Sequence, residues 1–173
     1  TTDMIQGEAG VSKSTLYRYF PTKEILFEAA MEASTRSFLA NVGRLCEGLE
    51  EPKDFLYEFG LEFIQTLLTP RALDIVRLLV MESQRFPRLG KHFYLTGPKT
   101  TADVVENWLA GAVARGRLRM DNPALAAEHF IGMIRGDLHL RCLLGVTRPP
   151  SLPQMQRYVA ATVKAFLEGY AAG

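Results

Sequence analysis

Apolar residues recur at intervals of three and four along most of the chain, and no alternating runs bounded by hairpin turns occur. This period predicts amphipathic helices and no sheet. Glycines and prolines divide the pattern into separate segments. The predicted helices cover about residues 2–8, 13–19, 23–46, 53–68, 71–84, 88–95, 99–114, 123–144 and 153–170.

Several of these boundaries carry their own chemical signal. Thr22 and Asn122 each stand just before a predicted helix, where a side-chain oxygen can accept a free backbone N–H. Pro123 then takes the first helical position, which needs no N–H donor. The Gly97-Pro98 pair predicts a break between two of the helices.

The composition is that of a soluble protein with a core, since 47% of residues are hydrophobic, 23% are charged and the net charge is +1. No run of eighteen apolar residues occurs, so we expect no membrane span. Cys46 and Cys142 lack metal-ligand spacing and are expected to be buried thiols in a reducing cytoplasm. The chain starts at Thr1 without a visible signal peptide, and we expect it to be a fragment.

No catalytic or metal-binding motif is visible. His92, His129 and His139 stand in unrelated patterns, and each is expected at the surface or hydrogen-bonded in the core. A glycine-rich phosphate loop and a Gly-x-Ser-x-Gly elbow are both missing from the sequence. We therefore expect no enzyme activity, no cofactor and no metal.

The stretch "GVSKSTLYRYFPTKE" predicts a short helix after a glycine turn. Its apolar side, with Leu16 and Phe20, would pack inward, while a polar side faces out. Two short helices joined by such a turn form a helix-turn-helix, whose second helix enters the DNA major groove. The alternative is an ordinary solvated helix face. The polar side comprises Lys13, Ser14, Thr15, Tyr17 and Arg18.

The longer stretch "AGVSKSTLYRYFPTKEILFEA" resembles the signature of the TetR family of bacterial transcriptional regulators. The stretches "ESQRFPRLGKHFYLTGP" and "FIGMIRGDLHLRCLLG" are similar to the AefR-like C-terminal domain of that family. The resemblance implies an all-α fold. A truncated helix-turn-helix DNA-binding module, residues 1–30, would precede a larger helical ligand-binding and dimerisation domain, residues 31–173.

The resemblance also implies roles for individual residues. Those facing the DNA groove would be Lys13, Ser14, Tyr17 and Arg18, and those holding phosphate would be Thr15, Tyr19 and Lys23. Three departures favour an alternative, a helical small-molecule binding protein that does not bind DNA. The family's helix before Thr2 is missing, Gln6 replaces a usual alanine, and residues 1–30 carry a net charge of −1.

The last two long helices are predicted to form a dimer interface, with burial of the monomer core as the alternative. The resemblance implies a homodimer through a four-helix bundle, which could place two recognition helices one DNA turn apart. Within this pair, Asp137 and Arg141 are four residues apart and can form an ion pair. The interface candidates are Gly132, Met133, Gly136, Leu140, Met155, Val159, Val163 and Phe166.

The middle helices are rich in aromatic residues, and the family's effector pocket lies among such helices. An aromatic pocket with a few polar groups suits an apolar or amphipathic small molecule, although any single aromatic residue can instead belong to the core. The candidate ligand-binding residues are Phe59, Phe63, Glu82, Phe86, Phe93 and Trp108. Taken together, the sequence predicts a ligand-responsive repressor that a small molecule releases from palindromic double-stranded operator DNA.

Overall fold

The computed structural model describes Ser14 and residues 18–171, without the side chains of residues 23, 24, 27, 30 and 171. Within this part the regular elements are helical, which confirms the all-α prediction. A π-helical turn, Leu95–Lys99, joins two of the helices. The α-helices are α1 (Lys23–Leu45), α2 (Pro52–Leu67), α3 (Pro70–Glu82), α4 (Pro87–Tyr94), α5 (Thr100–Ala114), α6 (Pro123–Leu143) and α7 (Leu152–Ala171).

Local sequence explains where several helices begin. The Thr22 hydroxyl accepts the N–H of Ile25 at 3.3 Å at the start of α1. The Asn122 side chain accepts the N–H of Leu125 at 3.0 Å at the start of α6, which opens with a proline. Both predicted caps are therefore confirmed, because each oxygen satisfies an N–H that has no partner inside the helix.

The predicted break at Gly97-Pro98 does separate two α-helices, since α4 ends at Tyr94 and α5 begins at Thr100, but the chain between them stays helical. The chain passes from α4 to α5 through the π-helical turn, with Pro98 inside it. Pro98 has no N–H to give to an earlier carbonyl, and the wider π turn accommodates that gap. Two hydroxyls support the turn, since Thr96 Oγ1 donates to the His92 carbonyl at 2.8 Å and Thr100 Oγ1 donates to the Leu95 carbonyl at 3.0 Å.

Helix α2 lies at the centre of the core and packs against α1, α3, α6 and α7. Gly60 allows the close approach, because a Cβ there would lie 3.1 Å from both Ile134 Cδ1 and Val159 Cγ1. The largest fully buried side chains are Phe59, Phe130 and Phe166. From α1, the ring of Phe38 meets Phe59 edge-on with centroids 5.9 Å apart, which joins α1 to this core.

The apolar stripe of α7 belongs to the core of the chain itself. Met155, Val159, Val163 and Phe166 were predicted at a dimer interface, but the structure buries all four inside the protomer. The reason is that α7 lies along α2, which covers its apolar face. Periodicity identified this face correctly, but it could not tell which helix covers it.

Helix α6 is kinked at Gly136, where the sequence predicted an uninterrupted helix. Gly136 has φ 43° and ψ −156°, a conformation far from helical values. Tyr158 from α7 fills the kink, and its hydroxyl donates to the Met133 carbonyl at 2.9 Å. A regular helix would give that carbonyl to the N–H four residues later. Tyr158 thus gives this carbonyl, beside the kink, a hydrogen-bond partner from another helix.

Arg77 on α3 holds the C-terminal end of α6. Its Nε donates to the Leu143 carbonyl at 2.8 Å, and a terminal nitrogen donates to the Cys142 carbonyl at 3.0 Å. The other terminal nitrogen lies 2.7 Å from the carboxylate of Asp74. These carbonyls are at the negative end of the helix dipole, so a guanidinium is well suited to cap them.

Candidate ligand-binding cavity

A cavity of about 190 Å³ lies among α1, α2, α3, α4, the π-helical turn, α5 and α6. Helix α1 contributes one face of the wall, and Phe63 of α2 and Phe93 of α4 add aromatic surface. Most of the remaining wall is aliphatic, including Leu67, Ile75, Val76 and Ile131. The cavity is therefore suited to a largely apolar molecule.

The polar residues of the wall differ in their burial. Thr101 and His139 are only 5% and 4% exposed, respectively. Ser34 and Arg135 are exposed and mark where the cavity meets the surface. The apolar wall thus has buried polar groups as well as polar groups open to solvent.

His139 is the most unusual residue of the wall. Its Nε2 is buried and has no hydrogen-bond partner among the described residues. The sequence predicted that this histidine is either at the surface or hydrogen-bonded in the core. That prediction is wrong for the Nε2 atom, which is buried without a partner among the described residues. Burial lowers the pKa of His139, and the nearby positive charge of Arg135 lowers it further. The imidazole is therefore held in its neutral form.

The sequence candidates for ligand binding are only partly brought together. Phe63 and Phe93 line the cavity. Phe59 is instead fully buried in the core, and Trp108 stacks on Phe55 with ring centroids 4.1 Å apart. Neither is among the residues that line the cavity, because α2 and α5 turn these faces towards the core.

Glu82 and Phe86 lie at the junction of α3 and α4 and do not line the cavity either. Sequence reasoning did not select Arg135 or His139 as ligand contacts. A signal was present, since Ile131, Arg135 and His139 are each four residues apart and share one face of α6.

Helix α1 connects this cavity with the N-terminal module. It begins at Lys23, directly after the segment predicted to contact DNA, and its Met31, Thr35 and Phe38 line the cavity. Glu32 on α1 also lies 3.2 Å from Nε2 of His92 on α4. A molecule in the cavity would thus touch the helix that follows the predicted DNA-contacting segment along the chain.

The predicted DNA contacts lie mostly outside the described part of the chain. Ser14, Arg18 and Tyr19 are exposed, and the Arg18 guanidinium lies 5.5 Å from the centroid of the Tyr19 ring. The other positions, for which the structure gives no side chain, are Lys13, Thr15, Tyr17 and Lys23.

The remaining interface candidates form an exposed stripe on α6, beside the cavity face. Gly132, Met133, Gly136 and Leu140 are all exposed, and Leu144 continues the four-residue spacing with 68% exposure. The predicted Asp137–Arg141 ion pair is confirmed at 2.8 Å. We call the residues 132, 133, 136, 140 and 144 the α6 stripe.

Two family models match the chain. Residues 54–172 match the AefR-like transcriptional repressor C-terminal domain, and residues 1–30 match the bacterial regulatory proteins of the tetR family. The chain belongs to the TetR family. This confirms the resemblance on which the sequence prediction depended.

Solved structures share the fold of this TetR-family chain. A TetR-family transcriptional regulator from Mesorhizobium loti superposes with a TM-score of 0.83 at 24% identity, covering 99% of this chain and 86% of the other. The flavonoid-responsive regulator FrrA superposes with a TM-score of 0.72 at 34% identity, covering 98% of this chain and 85% of the other.

Curated relatives match over a shorter stretch. The nucleoid occlusion factor SlmA of Shewanella pealeana is 28% identical over 91 residues, which is 53% of this chain and 38% of the relative. SlmA of Aliivibrio fischeri is 31% identical over a stretch of the same length, again covering 53% of this chain and 38% of the relative. The match to this TetR-family chain thus spans about two fifths of the length of these relatives.

Among the described helices, none combines the length and apolar character needed to cross a bilayer. Within the same residues, no three His, Cys, Asp or Glu side chains come together in a way that could hold a metal ion.

Proposed function

We propose that this TetR-family protein is a ligand-responsive transcriptional repressor in the cytoplasm. It binds palindromic operator DNA as a homodimer and is released when a small molecule occupies the cavity. The observation that carries the proposal is the position of α1, which forms a wall of the cavity and begins directly after the predicted recognition helix.

The mechanism follows from what a ligand would touch. Met31, Thr35 and Phe38 of α1 line the cavity, so a bound molecule favours one position of α1 over another. A dimer fits consecutive major grooves only when its recognition helices are about 34–36 Å apart. A shift of α1 changes that separation. Ligand binding therefore weakens DNA binding, and DNA binding weakens ligand binding by the same factor.

The homodimer is supported by the α6 stripe. Leu140 on α6 is 50% exposed, and Leu144, the C-cap residue of the same helix, is 68% exposed. Gly132 in the same stripe leaves room for a second helix to approach, because a Cβ there would meet no atom within 4 Å. With the two-fold axis of the dimer at the α6 stripe, α6 of one protomer would pack against α6 of its partner.

The class of effector is supported by the cavity wall and by one relative. The wall is largely apolar and contains the aromatic side chains of Phe38, Phe63 and Phe93. FrrA is described as flavonoid-responsive and is 34% identical to this chain. We propose an apolar or amphipathic effector with aromatic character.

The first test is binding of the full-length protein to the DNA around its own gene. Tyr17→Ala and Arg18→Ala should each abolish sequence-selective binding, because both are predicted to face the groove. Lys164→Ala is the matched control, since Lys164 is exposed on α7, far along the chain from the module. It should bind like the unmodified protein.

Salt dependence separates specific binding from its alternative. Specific binding should weaken as salt rises yet still favour one DNA sequence over competitor DNA. If the unmodified protein and both variants bind equally weakly even at low salt, the repressor proposal is wrong. A helical ligand-binding protein without DNA binding would then describe the chain better.

A further inference from the structure

The Nε2 atom of His139 indicates which chemical group the effector carries. The side chain is 4% exposed and lines the cavity, and its Nε2 has no hydrogen-bond partner within the described residues. A buried polar atom without a partner destabilises a fold, so most such atoms are satisfied by the protein, water or a ligand. An imidazole in the wall of an apolar cavity is well placed to gain that partner from a bound molecule.

A hydroxyl group is the ligand group that suits a neutral imidazole best. The neutral ring has one nitrogen that donates and one that accepts, depending on its tautomer, and a hydroxyl can serve either. A carboxylate only accepts and gains most from a protonated ring. Burial and the charge of Arg135 lower the pKa of His139, which disfavours that protonated form.

The volume limits the size of the molecule. The cavity measures about 190 Å³. A dry apolar cavity of about 150 Å³ accepts benzene. A benzene ring with a short substituent therefore fits inside the cavity, whereas the three rings of a flavonoid would extend out of it where Ser34 and Arg135 reach the surface.

We propose that the effector is a single-ring aromatic compound with a hydroxyl group, and that His139 selects it by a hydrogen bond to that hydroxyl. This inference rests on the proposed function of the cavity as the effector site. The proposed effector has one ring and therefore differs from the flavonoids to which FrrA is described as responding.

The probe is 4-propylphenol, and its affinity for the full-length protein is measured by calorimetry. Propylbenzene lacks only the oxygen and should bind roughly fivefold to tenfold more weakly, as expected for one net hydrogen bond. The anion 4-propylbenzoate and the flavonoid naringenin should both bind more weakly than 4-propylphenol. Tighter binding of the benzoate would assign the selection to Arg135, and tighter binding of naringenin would contradict the size argument, so either result overturns the proposal.

Variants of the cavity test the residue itself. His139→Leu should bind 4-propylphenol and propylbenzene equally, whereas His139→Gln, which retains a hydrogen-bonding group, should keep part of the preference. Thr101→Val is the matched control, because Thr101 is the other buried polar residue of the wall. If Thr101→Val loses the preference and His139→Leu keeps it, the assignment to His139 is wrong.

A DNA-release assay with the same compounds separates this inference from the proposed function. Selective, His139-dependent binding of 4-propylphenol without any release of DNA supports the recognition chemistry and counts against the repressor mechanism. Release of DNA by a compound that binds equally well to His139→Leu supports the repressor mechanism and counts against recognition by His139. Thermal unfolding of each variant without ligand shows whether it is folded, so a loss of binding is compared only among folded proteins.

Discussion

The kink in α6 makes a strong prediction about Gly136. Its backbone, with φ 43° and ψ −156°, lies in a region that side-chain-bearing residues rarely adopt. Forcing such a residue there costs about 1–3 kcal/mol. A Cβ at this position would also lie 2.6 Å from the Tyr158 hydroxyl oxygen, which is too close for the tyrosine to stay in place.

Displacing Tyr158 adds a second loss. Its hydroxyl donates to the Met133 carbonyl at 2.9 Å, and one such bond contributes about 0.5–1.5 kcal/mol. We therefore expect Gly136→Ala to lower the free energy of unfolding by about 1.5–4.5 kcal/mol, the sum of the strain and the hydrogen bond. Tyr158→Phe removes the hydrogen bond alone and should lower it by about 0.5–1.5 kcal/mol.

The assay is urea unfolding followed by the fluorescence of Trp108, the only tryptophan of the chain, at one fixed protein concentration. Trp108 stacks on Phe55 within the core, so its emission reports the loss of packing. Gly43→Ala is the matched control, because Gly43 is exposed on α1, outside the α6 stripe, and a Cβ there meets no atom within 4 Å. That change should leave stability unchanged or raise it by up to about 1 kcal/mol.

The double variant Gly136→Ala with Tyr158→Phe completes the argument. Both changes remove the same hydrogen bond, so their combined effect should be smaller than the sum of the two single effects. If Gly136→Ala behaves like Gly43→Ala, the kink is not enforced by the fold. Additive effects would show that Gly136 and Tyr158 act independently. Either result would refute the reasoning.

Three further predictions concern the surroundings of α6. Arg77→Met should lower the free energy of unfolding by about 1.5–3 kcal/mol, because two α6 carbonyls lose a charged donor. The control Asp74→Asn affects only an exposed ion pair and should lower it by less than about 1 kcal/mol. The lowered pKa of His139 means that the unfolded chain takes up a proton first as pH falls, so stability should be complete above a pH of about 6.5 and decline below it. His139→Gln should flatten that decline in unfolding curves measured from pH 8 to pH 5, and an unchanged slope would contradict the assignment. Leu140→Glu should weaken the homodimer by roughly tenfold or more in analytical ultracentrifugation, because it places a charge in the α6 stripe. Val80→Glu, at an exposed apolar position on α3, should leave the dimer intact, and a dimer that survives Leu140→Glu would exclude the stripe as the interface.

The sequence determined the helical elements and the family. Helix boundaries depend on contacts between residues close along the chain, such as Thr22 with Ile25 and Asn122 with Leu125. The TetR resemblance depends likewise on a continuous signature, which the family matches to residues 1–30 and 54–172 confirm. Local chemistry and a contiguous motif can be read without knowing how the chain folds back on itself.

Only the tertiary structure decided which helix covers each apolar face. The α7 stripe lies against α2 inside the protomer, and the pattern of α7 alone cannot distinguish that partner from a second subunit. The kink at Gly136 is likewise filled by Tyr158, which lies 22 positions later in the chain. The cavity brings His139 near residues of α1 and α5 that are distant in sequence. A period describes one helix at a time, whereas a site and a kink depend on contacts between helices.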